Sequence, residues 1–357
     1  MEYYIYTTYR CNLNCSYCSS KKILNNDDIS LDENKIVNTI KYIEKNKNGL
    51  YDEIIFFGGE PLLEYKTVLK FIELSSHLNL RYSIYTNGLI LDKIPSELLS
   101  LFDSIFISID GDKSIHEKHR GQGTYDQIIN NLIQLRSKTS STLLGRITVE
   151  EETNIYNSVT NLEPYVDAIY WQIVNKPFFQ NSYDFIETYN ENIDMLFEHW
   201  FKHFQSGKIL NYIPFQSIIS HYIYNHDNEG ISFRCGAGNK LNIIDLNGNV
   251  FWCDEYIGGD NGRIGTINLE KNTSAHLSHK ELFEDCKTCR YSDICLGRCR
   301  KCLLEYSHEH IRDYCKMTLH LIKMIEEKLY VITNIIQRNE ITLNEFYPTP
   351  KNTEEIP

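Results

Sequence analysis

The sequence predicts an α/β protein in which a partial (β/α)6 TIM-like barrel is followed by a cysteine-rich extension. Three observations carry this prediction. Six short apolar runs alternate with helical patterns in the first half of the chain, which is typical of parallel strands joined by right-handed crossovers. Short polar motifs follow the ends of these runs, where such barrels carry their chemistry. Eight of the eleven cysteines lie between Cys235 and Cys315.

The individual elements are predicted from hydrophobic patterning and from turn and capping residues. Strands are expected at 3–8, 51–57, 81–86, 103–109, 142–149 and 168–174. Helices are expected at about 33–46, 65–78, 95–101, 125–138, 154–165, 183–206 and 315–337, the first after a capping box at Ser30-Leu-Asp-Glu33. We expect the aromatic stripe of 183–206 to face a core rather than a substrate, and the proline-containing tail to be loose.

This patterning divides the chain into four expected segments. They are a barrel core (1–180), a helical bridge (181–234), a cysteine-rich domain (235–320) and a C-terminal helix with tail (321–357). The length of 357 residues agrees with a large barrel plus a smaller module.

Composition excludes several classes of protein. The formal net charge is −12 and no basic cluster is present, so nucleic acid is not an expected partner. No apolar run approaches the ~20 residues that span a bilayer, and no signal peptide precedes the first strand, so neither a membrane nor secretion is expected. The chain is expected to be cytoplasmic, where eleven cysteines indicate metal ligation rather than disulfides.

Three cysteines, Cys11, Cys15 and Cys18, directly follow the first predicted strand. Thiolate sites take zinc or iron–sulfur clusters, and a four-iron cluster normally needs four cysteines. The next cysteine is far away, so the simplest interpretation is a [4Fe–4S] cluster with one iron open to a non-protein ligand. A zinc site with a distant fourth ligand is the alternative.

The motifs at the strand ends favour the cluster. The C-x3-C-x2-C run, FFGGEP, TNG, SIDG and HEKHRGQGTY occur in an order and spacing that resemble the radical S-adenosylmethionine (SAM) superfamily. The resemblance implies that SAM chelates the open iron through its amino and carboxylate groups. Reductive cleavage of SAM would then give a 5′-deoxyadenosyl radical that abstracts hydrogen from a substrate.

The resemblance also implies roles for single residues. Tyr17 matches an aromatic residue beside the adenine, and Gly59 and Glu60 match the motif that receives the methionyl amino group. Ser108 and Asp110 match the strand end near the ribose and carboxylate, and Arg120 matches an arginine that pairs with the carboxylate. Ile173 is expected near the adenine. For Asp110 and Arg120, the alternative is a surface turn with solvated charges.

The later cysteines resemble the SPASM extension of radical SAM enzymes, in which C…G-x4-C…C-x2-C-x5-C-x3-C…C holds two auxiliary [4Fe–4S] clusters. A zinc ribbon is the alternative. The resemblance assigns the following cysteines to an outer cluster: Cys286, Cys289, Cys295 and Cys315. It assigns Cys235, Cys253 and Cys299 to an inner one. Some relatives have a fourth inner ligand at the position of Leu241. Either Cys302 substitutes, or one iron stays open to a substrate thiolate, which we favour.

The resemblance implies a maturase acting on a ribosomally made peptide, with a thioether or other cross-link favoured. Asp254, directly after Cys253, matches a catalytic aspartate of anaerobic sulfatase-maturing enzymes, so formylglycine formation is an alternative; a hydrogen bond that orders the cluster loop is the plainer interpretation of Asp254. A non-catalytic iron–sulfur electron carrier is a third possibility.

The expected partners are a peptide or protein substrate and an external electron donor of the flavodoxin or ferredoxin type. Because Cys11 is so near the start, no leader-binding domain is expected before the barrel. Either a separate protein binds the leader, or the enzyme holds its substrate directly.

Overall fold

A computed structural model describes residues 1–23, 31–47, 49, 52–224, 233–268, 279–347 and 356–357. The chain divides into two compact units. The first comprises Met1–Ile109, His116–Leu144 and Gly236–His276, and the second comprises Asp110–Ile115, Gly145–Cys235 and Leu277–Pro357.

The described residues contain nine strands and fourteen α-helices, besides five short 3-10 helices. The strands are β1 Glu2–Thr8, β2 Glu53–Gly58, β3 Arg81–Thr86, β4 Ser104–Ser108, β5 Thr142–Val149, β6 Ala168–Ile173, β7 Leu241–Ile244, β8 Asn249–Phe251 and β9 Arg263–Thr266. The helices are α1 Glu33–Asn46, α2 Tyr65–Ser75, α3 Ser96–Leu99, α4 Lys113–Arg120, α5 Thr124–Leu135, α6 Ile155–Leu162, α7 Ser182–Gln205, α8 Ile213–Tyr224, α9 His279–Leu282, α10 Glu284–Thr288, α11 Ser292–Cys295, α12 Arg300–Glu305, α13 His308–Arg338 and α14 Leu343–Phe346.

The sheet of the first unit places consecutive strands side by side. β1 pairs with β2, β2 with β3 and β3 with β4, all in parallel. β7 pairs in parallel with the other edge of β1, and β8 and β9 continue the sheet in antiparallel fashion. Parallel neighbours joined by helices are βαβ units, so the predicted α/β class is confirmed. The carboxyl ends of β1 to β4 therefore share one edge of the sheet.

The parallel strands form because both of their faces are apolar, as a sheet covered on both sides requires. Ile54, Ile55 and Phe56 of β2 are fully buried, as are Ile105 and Phe106 of β4. The bounds of β3 and β5 agree with the predicted ones, because a turn or polar residue stands at each end of these apolar runs.

The bounds of α1 agree with the predicted ones, but its capping residue and the start of α13 do not. The residue that caps α1 is Asp32, whose carboxylate accepts a hydrogen bond from the backbone N of Lys35 at 2.9 Å; Ser30, the predicted cap, lies outside the described residues. α13 begins seven residues before the predicted start, because Ser307 caps it by accepting from the backbone N of His310.

The second unit has an aromatic core. The inward stripe of α7 consists of buried residues, among them Phe197, Trp200 and Phe204, so its predicted core-facing role is confirmed. Phe215 of α8 is fully buried, and its ring centroid lies 5.3 Å from that of Phe197 and 5.6 Å from that of Trp171. Within the described parts of the chain, no helix has the length and apolar character needed to cross a membrane.

Candidate metal centres

The loop that carries Cys11, Cys15 and Cys18 begins three residues after β1 ends. All three thiols are half-buried. The pKa of the Cys11 thiol is raised to about 11, mainly by burial and to a smaller extent by the Glu60 carboxylate and the neighbouring Cys15 and Cys18 thiols. The loop thus holds three soft donors close enough to influence one another electrostatically, as ligands of one centre must be.

Gly59 fastens the start of this loop to the end of β2. The backbone N of Gly59 donates to the carbonyl O of Thr8 at 2.9 Å, and the backbone N of Glu60 donates to the carbonyl O of Arg10 at 2.8 Å. A Cβ on residue 59 would lie 2.1 Å from the Arg10 carbonyl O, so only glycine fits. Glycine is therefore needed at this position because the backbone of Arg10 packs directly against it.

Gly59→Ala should displace residues 8–10 and loosen the cluster loop, because backbone cannot yield to a Cβ at that distance. We expect the variant to lose one four-iron cluster, measured by iron analysis, and to unfold at a lower temperature, measured by thermal unfolding. Gly145→Ala is the matched control, since its Cβ would meet side chains no nearer than 3.4 Å. Equal iron content in the two variants would contradict the role of Gly59.

Glu60 joins two of the motifs. Its side chain is 1% exposed and accepts hydrogen bonds from the backbone N of Leu62 at 3.1 Å, from Thr86 Oγ1 at 2.9 Å and from the backbone N of Asn87 at 2.7 Å. Burial raises the pKa of this carboxyl to about 7, although the hydrogen bonds lower it. The carboxylate is thus committed to holding the end of β3 against the loop after β2.

Asn87, in the TNG motif, extends the same network to the cluster loop. Its Nδ2 donates to Asn12 Oδ1 at 2.7 Å, between the first and second cysteines. Asn12 was not singled out from the sequence. Its only signal was its position inside the C-x3-C run.

α4 holds the other end of the loop. Ser16 bonds to His119 twice, through its backbone N to the His119 carbonyl O at 3.0 Å and through Oγ to Nδ1 at 2.6 Å. The ring of Tyr17 lies 5.2 Å from that of His119, and the Arg120 guanidinium lies 5.3 Å from the Tyr17 centroid. Arg120 is only 6% exposed, so the solvated-charge alternative for this residue is wrong.

Asp110, which begins the second unit's share of the chain, is also fully buried, so the solvated-turn alternative is wrong here too. Its carboxylate accepts from the backbone N of Thr148 at 3.0 Å. Ser108 is half-buried at the end of β4, and Ile173 is buried at the end of β6.

Asp254 directly follows Cys253, and its Oδ1 is 3.7 Å from the Cys253 Sγ. Tyr6 of β1, which sequence reasoning missed, contacts the segment after the cluster loop, because its hydroxyl lies 3.3 Å from Ser20 Oγ. Burial raises the pKa of the Tyr6 hydroxyl well above its ordinary value, and the charge of the Asp254 carboxylate also raises it.

The second unit gathers the four cysteines predicted for the outer cluster. Burial raises the pKa of the Cys315 thiol to about 12, with further contributions from Cys295, Cys286 and Cys289. The pKa of the Cys286 thiol is likewise raised to about 12, by burial and then by Cys295 and Cys289. Cys315 of α13 is thus brought to a group of cysteines far away in sequence.

Of the cysteines predicted for the inner cluster, Cys253 belongs to the first unit and Cys235 and Cys299 to the second. Next to Cys299, Asn175 Nδ2 donates to the Cys299 Sγ at 3.9 Å, and the Cys302 Sγ donates to Asn175 Oδ1 at 3.3 Å. Cys302 is 4% exposed. Leu241, at the position of the missing ligand, is buried in β7 opposite Glu2 of β1.

The donor sets fit iron–sulfur clusters. The loop after β1 and the outer group of cysteines present only thiols, which are the ligands that iron–sulfur clusters need. Because the pKa values of several of these thiols are raised, cluster binding would release the protons that the thiols carry. In the described residues, no three His, Cys, Asp or Glu side chains are spaced to hold a single metal ion.

Residues 5–155 match the Radical SAM superfamily. Together with its curated relatives, this match shows that the chain carries a radical SAM domain and is an enzyme related to radical SAM maturases. It is 26% identical over 325 residues to the cysteine-type anaerobic sulfatase-maturating enzyme of Clostridium novyi (strain NT), covering 82% of this chain and 85% of the relative. It is also 26% identical over 318 residues to the radical SAM cyclopropyl synthase TigE of Paramaledivibacter caminithermalis, covering 81% and 66%.

Two solved structures share the fold. Native anSMEcpe with bound AdoMet has a TM-score of 0.76 at 19% identity, covering 94% of this chain and 100% of that one. Streptococcus suis SuiB bound to precursor peptide SuiA has a TM-score of 0.56 at 18% identity, covering 84% and 71%. The chain thus has the fold of these two structures, and its cysteine-rich C-terminal part is consistent with a SPASM extension.

Proposed function

We propose that this enzyme modifies a ribosomally made peptide by radical chemistry started at Cys11, Cys15 and Cys18. The observation that carries the proposal is the three-sided fastening of their loop. The Gly59–Glu60 backbone holds the residues just before the loop, Asn87 holds its second residue, Asn12, and His119 holds Ser16 near its end. A loop fixed at three points keeps three thiols in one geometry, as a preorganised site requires.

We assign SAM binding to the residues that the motifs predicted. Tyr17 and Arg120 would offer an aromatic face to the adenine and a guanidinium to the methionyl carboxylate. Because the Glu60 carboxylate is occupied by three protein hydrogen bonds, the Gly59–Glu60 backbone is the better receiver of the methionyl amino group. Ser108, Asp110 and Ile173 would line the ribose and adenine.

A cluster held by Cys11, Cys15 and Cys18 would supply the electron for reductive cleavage of SAM. The radical chemistry that this starts would remove one hydrogen atom from a substrate carbon. Forming the product bond then releases one electron and one proton. Asp254, whose Oδ1 lies 3.7 Å from the Cys253 Sγ, would accept the proton.

The electron would pass to an auxiliary cluster. We assign the outer cluster to the second unit's group of four, Cys286, Cys289, Cys295 and Cys315, and the inner one to Cys235, Cys253 and Cys299. We retain the prediction that the inner cluster keeps an open iron, with Cys302 as the alternative fourth ligand. With the cluster of the first unit this makes three [4Fe–4S] clusters.

For the reaction, a thioether or other cross-link is the first candidate, because an open inner iron suits a substrate thiolate. SuiB with its precursor peptide supports a peptide substrate. The second candidate is formylglycine formation, favoured by the Cys253-Asp254 pair and by the similarity to cysteine-type sulfatase-maturating enzymes. The relatives named above are enzymes, which leaves the electron-carrier alternative without support.

The remaining assignments stay proposals of the same kind. They are a cytoplasmic location, an external flavodoxin- or ferredoxin-type electron donor, leader recognition by a separate protein or by direct binding, and segment boundaries after residues 180, 234 and 320.

Iron and sulfide analysis of the anaerobically reconstituted protein tests the cofactor assignment. We expect about three four-iron clusters per chain, from the three cysteine sets. A single cluster per chain would refute the assignment of the C-terminal cysteines.

A further inference from the structure

Arg298 occupies an unusual backbone position in the cysteine-rich part of the second unit. It directly precedes Cys299 and has a φ of +58°, in the left-handed region that favours glycine. A long side chain is strained at such a position and persists only where the surroundings impose it. The contacts of the side chain supply a reason for arginine here.

The guanidinium is buried and surrounded by acceptors, and the residue is only 6% exposed. It lies over the Tyr314 ring, 4.2 Å from the centroid. The contacts of its nitrogens are Nε to the Pro357 carbonyl O at 2.7 Å, Nη2 to the Ile173 carbonyl O at 3.2 Å, Nη1 to Asn175 Oδ1 at 3.5 Å and Nη1 to Cys302 Sγ at 3.7 Å. The planar fork thus fixes the loop after β6 against α12.

Asn175 is the residue through which Arg298 reaches Cys299. Nη1 of Arg298 contacts the Asn175 carbonyl oxygen, which also accepts from the Cys302 thiol, while the Asn175 amide nitrogen donates to Cys299 Sγ. The guanidinium therefore determines which end of the carboxamide faces Cys299. A hydrogen-bond donor directed at a cysteine sulfur that ligates a cluster stabilises the reduced form of that cluster, which carries the more negative charge.

The Arg298 guanidinium is also close in the chain and in space to residues assigned to both auxiliary clusters. Arg298 directly precedes Cys299 of the proposed inner cluster, and its guanidinium lies over the ring of Tyr314, the residue before Cys315 of the proposed outer cluster. The charge of a residue that is only 6% exposed is weakly screened.

We propose that Arg298 is a positioning residue that orients Asn175 toward Cys299 and whose buried positive charge favours the reduced state of the auxiliary clusters. This rests on the proposed function, which places those clusters at these cysteines. The single electron released on product formation would reduce one auxiliary cluster, and the fixed cation would stabilise the negative charge that this electron brings. The guanidinium itself neither gains nor loses an electron or a proton.

Two substitutions separate charge from packing. Arg298→Gln removes the cation, whereas Arg298→Lys keeps it, and both leave the same strained backbone. The measurement is an EPR-monitored redox titration of the holoenzyme. At the wild-type midpoint potential of an auxiliary cluster, we expect the reduced-to-oxidised ratio in the Gln variant to fall about tenfold, which is 59 mV for one electron. The Lys variant should stay near wild type, and the SAM-binding cluster should be unchanged in both.

Arg312→Gln is the matched control. Arg312 is 59% exposed and paired with Asp285 at 2.8 Å, so its charge is solvated and compensated, although it lies on the same helix as Cys315. Equal potentials in the Gln, Lys and wild-type proteins would overturn the inference, as would an equal shift in the Arg312 variant. Iron analysis separates this result from a failure of the proposed function. A protein that binds no auxiliary clusters would contradict both the cofactor assignment and the role of Arg298. Three bound clusters with unshifted potentials would contradict the role of Arg298 alone.

Discussion

The Cys15→Ser enzyme is expected to form no 5′-deoxyadenosine from SAM above the level of a cluster-free control. Cys15 is the middle thiol of a set of three, and two thiolates with one hydroxyl hold a four-iron cluster poorly. Iron content should fall by about one cluster of three while the auxiliary clusters remain, since Cys286, Cys289, Cys295 and Cys315 form a group of their own in the second unit. Chromatography of the quenched reaction measures the nucleoside.

Cys302→Ser is the matched control for this experiment, because it removes a buried thiol outside the loop. It should leave 5′-deoxyadenosine formation intact. If the Cys15 variant still cleaves SAM at the wild-type rate with reduced iron, the loop after β1 is not where SAM binds.

The second large effect is expected at Asp254. Asp254→Asn keeps the shape of the side chain and an acceptor near Cys253 but removes the ability to take a proton. We expect SAM cleavage to continue while the modified peptide forms about 10²- to 10⁴-fold more slowly, the usual contribution of a general base. Mass spectrometry of the peptide, beside the 5′-deoxyadenosine yield, separates the two steps.

Glu255→Gln is the control, since it neutralises the next carboxylate in the same 3-10 turn. A wild-type product yield from the Asn variant would remove Asp254 from the mechanism. An equal loss in both variants would indicate that the turn, rather than the Asp254 carboxylate, is required.

The fold was predictable where apolar runs are bounded by turn residues. The strands β3 and β5 have their predicted bounds for this reason. α4 was missed because its sequence, KSIHEKHR, is almost entirely polar, so it carries no apolar periodicity. The short strands β7 to β9 were missed because strands of three or four residues are too brief to show alternation.

The candidate site was predictable to the extent that its residue types are rare. Cysteines at fixed spacings, and an arginine after a known motif, stand out in a sequence. Asn12, Ser16 and Asn175 do not, since their importance comes from a partner that only the fold brings near. His119 carried one weak signal, its place beside Arg120 in the HEKHRG motif.

The most direct test of the central claim is the reaction of the reconstituted wild-type enzyme with SAM and a chemical reductant under anaerobic conditions. The account predicts methionine and 5′-deoxyadenosine in equal amounts, with one cluster whose spectrum changes when SAM is added. A fully loaded protein that makes no 5′-deoxyadenosine, with or without a peptide substrate, would contradict it.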